Sequence, residues 1–132
     1  MKAGNVLMAA ALALLPAAAS VSAHHSFAAE FDATKPITLE GVITKIELIN
    51  PHGWIYMDVK GADGRVQNWA VETGSAAALA RAGLRRANLT AGTRLEVKGY
   101  RAKDGSPTIN GNVITLADGQ DRSLGSSLGS TP

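Results

Sequence analysis

The sequence predicts a mainly β fold, a small five-stranded OB-like barrel with one short helix between strands 3 and 4. Three observations predict it. Five segments between Ile37 and Leu116 carry β-branched or alternating apolar residues bounded by turn signals. A single run of helix formers, Ala76 to Ala82, stands between the third and fourth of them. The first segment is long and contains Gly41, which suits a bent strand. Three strands, a helix and two strands, in that order, match an OB-fold. An open sheet with a helix on one face is the alternative. Closure is preferred because it removes exposed strand edges.

Each element follows from its residues. In "ITLEGVITKIEL" (37–48), Ile37 and Leu39 share one parity and Val42, Ile46 and Leu48 the other. A phase flip around Gly41 is therefore expected, as a β-bulge produces. "NPHG" (50–53) is a turn by composition. "WIYMDVK" (54–60) places Ile55, Met57 and Val59 inward, against Trp54, Tyr56 and Asp58 outward or at a rim. Asp63-Gly64 marks a hairpin, and "VQNWAVE" (66–72) returns with Trp69 and Val71 toward the core. Ser75 is positioned to cap a two-turn helix that Gly83 stops. Leu95 and Val97 alternate with Arg94, Glu96 and Lys98 in the fourth strand, and "TINGNVITL" (108–116) is the fifth.

The chain begins "MKAGNVLMAAALALLPAAASVSA", with a basic Lys2, an apolar core and small or branched residues Val21 and Ala23 at the end. This is a signal-peptide pattern over residues 1–23, with cleavage expected between Ala23 and His24. The apolar core is shorter than the roughly 20 residues a spanning helix needs, and no later run approaches that length. The expected product is periplasmic or secreted, with no transmembrane segment after signal cleavage. Residues 24–35 form an N-terminal arm, 36–119 the OB-like domain and 120–132 a flexible tail, since "SLGSSLGSTP" has little apolar surface.

Cleavage removes Lys2, the one charged side chain of the leader, and leaves 109 residues with the formal charge lowered from +2 to +1. That length makes one domain. The near balance of charge, the few aromatics and the export signal argue against nucleic acid as a partner. The absence of cysteine excludes disulfides, thiolate metal sites and cysteine nucleophiles.

The stretches "HHSFAAEFD", "LEGVITKIELINPHGWIYMDV", "NWAVETG" and "RAGLRRANLTAGTRLEVKGYRAKDGSPTINGNVITLADG" resemble the small exported bacterial proteins of domain-of-unknown-function family 6152. The likeness spans nearly all of His24 to Gly119, with "NPH(x)W" and "GYRAKDGS" most distinctive. It implies an exported single domain and brings no established activity.

The chain has three histidines, His24, His25 and His52. Cleavage at Ala23 gives His24 an α-amine and an imidazole that chelate one metal ion, and His52 can add a second imidazole if the arm folds back over its turn. Amine plus two imidazoles is a tetragonal nitrogen set, which favours Cu(II). In a second mode the amine, an intervening amide and His25 bind the ion without His52. Zinc and no metal at all are the alternatives. Phe27 and Phe31, four residues apart, fall on one side of a helical turn able to pin the arm on the barrel, or they cap an open barrel end. Neither a nucleophile elbow nor a phosphate loop is present, so no catalytic residue and no established cofactor is assigned. The expected function is a small periplasmic non-catalytic binding protein, with Cu(II) at the mature N-terminal histidine. The alternative is a metal-independent OB-like interaction module whose ligand surface, Asn50, Trp54, Tyr56 and Asn68, takes an envelope saccharide, a peptide, another small ligand or an envelope protein.

Overall fold

The longest strand sets the architecture. In this computed structural model, which describes residues 26–126, a helical turn α1 (Phe27–Glu30) leads directly into β1 (Phe31–Glu47). The expected signal peptide and cleavage site, His24, His25 and residues 127–132 lie outside the described residues. The other elements are β2 (Trp54–Lys60), β3 (Val66–Glu72), α2 (Ala76–Arg81), β4 (Arg94–Ala102), β5 (Thr108–Thr115) and β6 (Asp121–Ser123). The fold is mainly β, a six-stranded sheet in the order β3-β2-β1-β4-β5-β6, and a further β3–β5 pairing makes its bonding ring-like.

β1 serves two neighbours. Its residues Pro36 to Val42 pair with β4, and Val42 to Glu47 pair with β2. All pairings are antiparallel except β3–β5, where Ala70, Val71 and Glu72 run parallel to Thr108, Ile109 and Asn110. Leu39, Ile43, Ile55, Met57, Trp69, Val71, Leu95, Val97, Ile109 and Ile114 point into one apolar core with Leu79, Leu84, Leu89 and Leu124. The inward sets expected for β2, β3 and β4 are those observed.

The bend in β1 is displaced from its expected place. Leu39, Gly41 and Ile43 share a parity, and the register with β2 shifts between Ile43 and Lys45. Thr44 is thus the extra residue. Gly41 matters for another reason, since a Cβ there would lie 2.3 Å from the Asp58 carbonyl oxygen and 2.8 Å from Met57 Cε. Its missing side chain lets β1 close on β2.

α2 ends as its residues dictate. Ser75 Oγ accepts from Ala78 N–H at 3.2 Å, and Gly83 takes φ +78°. Leu84 N–H then donates to Leu79 O and Gly83 N–H to Ala80 O, a Schellman closure that buries Leu79 against Leu84.

Two segments depart from the expected divisions. The arm assigned to 24–35 becomes strand at Phe31, which pairs with Ala102. Residues 121–126, assigned to the tail, are packed: β6 pairs with β5, Leu124 is fully buried and Ser126 is buried. One leucine in a polar segment is enough, because two backbone bonds flank it. Leu124 N–H donates to Asn112 O at 2.9 Å and Leu124 O accepts from Gly74 N–H at 2.7 Å.

Candidate functional site

The turn at 50–53 is tied to the end of β3. Gly53 N–H donates to Gly74 O and Thr73 N–H to Gly53 O, each at 2.9 Å, which extends the β2–β3 ladder past Glu72. A Cβ on Gly53 would sit 2.8 Å from Thr73 Oγ1 and 3.0 Å from Glu47 O, so only glycine lets the strands approach this closely. His52 is held by the same contact. Its Nδ1 lies 3.2 Å from the Thr73 carbonyl oxygen and 3.7 Å from Glu72 Oε1. A carbonyl oxygen only accepts, so Nδ1 carries a proton at this contact.

Glu72 is a buried carboxylate. It stands opposite Trp54 across β2–β3 and beside Asn110 across β3–β5. Asn110 Nδ2 donates to Glu72 Oε1 at 3.3 Å, and Asn110 itself is 1% exposed. The His52 turn, Glu72 and Asn110 form one polar knot at the seam where β3 meets β5.

Beside it runs an aromatic strip. Trp54 and Tyr56 stack with centroids 6.5 Å apart, and Lys45 Nζ sits 5.3 Å from the Tyr56 ring centre. Tyr56 O–H donates to Glu47 Oε2 at 3.4 Å. The hydrogen bond from Lys45, 2.5 Å away, holds the Glu47 carboxyl below the usual carboxylate range.

The arm reaches the same region. Phe27 stacks on Phe31 and meets Tyr100 edge-on, both at 5.7 Å. Lys103 clamps α1 twice, its N–H donating to Glu30 O at 2.8 Å and its Nζ to Ala28 O. Ala29, Phe31 and Trp54 then line one cleft of about 390 Å³ with Lys103, Ser106 and Thr108. Phe27 thus contacts Phe31, which lies in β1 and not in the helical turn, and Tyr100 of β4.

Of the residues assigned to the ligand surface, Trp54 and Tyr56 are adjacent and Asn68 lies one step along the same strip. Its Nδ2 donates to Asp58 Oδ1 at 2.8 Å and Thr44 Oγ1 at 3.1 Å. Asn50 is engaged elsewhere: its Oδ1 accepts from Ala76 N–H at 3.3 Å and so holds the first turn of α2. Of the three histidines only His52 is described, and among the described residues no three His, Asp or Glu side chains gather into a metal-binding group. No helix there is long and apolar enough to cross a membrane.

The family described as "Family of unknown function (DUF6152)" matches residues 11–111. The chain belongs to DUF6152. No curated protein and no solved structure matches it. The DUF6152 match takes in His24, His25, His52, Glu72 and Asn110, and ends before β6 and Leu124.

The sequence assigns neither Glu72 nor Asn110 to the candidate site, and reads Glu72 only as a carboxylate able to lie beside Asp58 on a neighbouring strand. One signal was present for the first. Trp54 and Glu72 lie nine residues either side of Asp63, so a hairpin folded at Asp63 sets them opposite each other. Asn110 had none, since a parallel contact between β3 and β5 leaves no mark in spacing.

Proposed function

We propose that this chain is a small exported, non-catalytic binding protein, and that its mature N-terminus, starting at His24, binds Cu(II) together with His52. The ring of pairings β1-β2-β3-β5-β4 supports an OB-like barrel as its frame. The observation that carries the metal reading is the 3.2 Å contact of His52 Nδ1 with the Thr73 carbonyl oxygen. Metal-binding histidines are held in this way, with one ring N–H on a carbonyl or carboxylate and the other nitrogen facing the ion. The anchored arm supports the partnership. Two residues separate Ser26 from the expected cleavage point, and they span at most about 7 Å when extended. Three nitrogens suit Cu(II) above the harder divalent ions.

The test compares three proteins: the mature form beginning at His24, the same form with one extra N-terminal residue, and His52→Ala. Calorimetric Cu(II) titration and EPR should give sub-micromolar binding to the first and an altered spectrum for the second. His52→Ala should bind about 10–100-fold more weakly. Tight binding that neither change affects would remove the site.

A second reading has its own support, the stacked Trp54 and Tyr56 beside a 390 Å³ cleft. It is a metal-independent interaction module that stacks an envelope saccharide, a peptide or a partner side chain on those rings. Trp54→Ala separates the two, because it abolishes this binding and leaves the copper titration within about threefold.

A further inference from the structure

Glu72 and Asn110 are costly residues for the seam of a β-domain. The Glu72 side chain is only 11% exposed, and a carboxylate taken out of water is unfavourable unless charge and hydrogen bonds offset the loss. Among the contacts of Glu72 is an amide bond from Asn110 at 3.3 Å. That amide is itself a liability: among the described residues, Asn110 Oδ1 is buried with no hydrogen-bond partner. Reversing the amide would face two oxygens toward each other, so the assignment with Nδ2 on Glu72 stands. The pair holds a carboxyl group in one place, with Glu72 Oε1 3.7 Å from His52 Nδ1.

We infer that Glu72, fixed by Asn110, is the positioning residue of His52 and supplies the negative charge that offsets a cation bound at that imidazole. This rests on the reading of His52 as a copper ligand. The Thr73 carbonyl fixes which ring nitrogen carries the proton, and the carboxylate beside the ring stabilises the positive charge that coordination places there. An amine and neutral imidazoles leave a divalent ion uncompensated, and Glu72 corrects that from outside the donor set. Asn110 restrains the carboxylate so that it remains beside His52.

The experiment exploits the difference between shape and charge. Glu72→Gln keeps the length and the acceptor for Asn110 while removing the charge; Glu72→Asp keeps the charge and shortens the reach. Cu(II) titration of the mature protein should show Glu72→Gln weakened at least tenfold and Glu72→Asp within about threefold of wild type. The reverse ranking, with Gln harmless and Asp damaging, marks a purely structural residue and overturns the inference. A second measurement does not depend on Asp: in the His52→Ala background Glu72→Gln should cause no further loss, and an undiminished loss there also overturns it. Copper binding that is sensitive to His52→Ala and indifferent to Glu72→Gln removes the role of Glu72 and leaves the copper reading intact. A wild-type protein that does not bind copper removes both.

Discussion

Leu124→Ala measures whether the segment after Gly119 belongs to the folded domain. Leu124 is fully buried, and its Cδ1 lies 2.7 Å from where a Cβ on Gly111 would be. Its own backbone bonds to Asn112 and Gly74 do not involve the side chain, so the substitution deletes only apolar contact. Removing a fully buried leucine side chain costs about 2–5 kcal/mol through lost transfer energy and residual cavity. Taking about 3 kcal/mol, the loss is a large share of the roughly 5–15 kcal/mol of a whole domain. With a urea slope of about 1.5 kcal/mol/M the unfolding midpoint falls by about 2 M. The melting temperature falls by roughly 12–24 °C for a domain of about this size. Urea unfolding followed by Trp fluorescence and far-UV circular dichroism supplies the number. Val66→Ala is the control, since Val66 is 62% exposed and its truncation should stay within about 0.5 kcal/mol. A Leu124→Ala midpoint as close to wild type as the control would show that residues 121–126 contribute nothing, and the packing argument would fall.

Two further outcomes follow from polar side chains. Arg122 bonds both carboxylate oxygens of Asp118, at 3.2 and 2.5 Å, and its hydrogen bond lowers the Asp118 carboxyl to about 2. The stabilisation this gives is complete above the ordinary carboxylate pKa and is lost as pH falls through about 2, so carbon-detected NMR should place the Asp118 midpoint near 2 and Arg122→Ala should raise it toward 3.8. Asn50→Ala should lower stability by about 0.5–2 kcal/mol through loss of the bond to Ala76 N–H, with copper binding unchanged; a ligand-binding defect without destabilisation would return Asn50 to the site.

Much of the β-structure was legible because it is written in local period. Ile55 and Met57, Leu95 and Val97, and Trp69 and Val71 alternate inward along their strands, and alternation survives whatever the neighbouring strands do. The bulge was harder. Parity alone places a flip between Leu39 and Val42, yet Ile43 takes the buried position and half-buried Val42 does not, because β1 twists between two partners. Composition also misjudged residues 121–126, where Leu124 outweighs its polar neighbours through tertiary burial. In the candidate site, Trp54 and Tyr56 could be read from alternation. Glu72 needed the hairpin register and Asn110 needed the non-local β3–β5 contact, which only the folded chain supplies.

The same long-range contacts explain why the His52 turn is a credible place for binding. Thr73 and Gly74 are gripped from two sides: Gly53 bonds both on one, and Leu124 O accepts from Gly74 N–H on the other. A Cβ on Gly74 would come within 2.1 Å of Gly125 O, so the two segments touch at backbone distance. The Thr73 carbonyl that orients His52 therefore sits in a frame built from β2, β3 and the segment after β6. Loops usually gain mobility by lying outside the ladders. This one is bonded into them, and a ring held in one tautomer by a fixed carbonyl is prepared for a ligand before that ligand arrives. His52, Glu72 and Asn110 are held together by these contacts, whereas Asn68 on the neighbouring strip is exposed and bonded to Asp58 and Thr44.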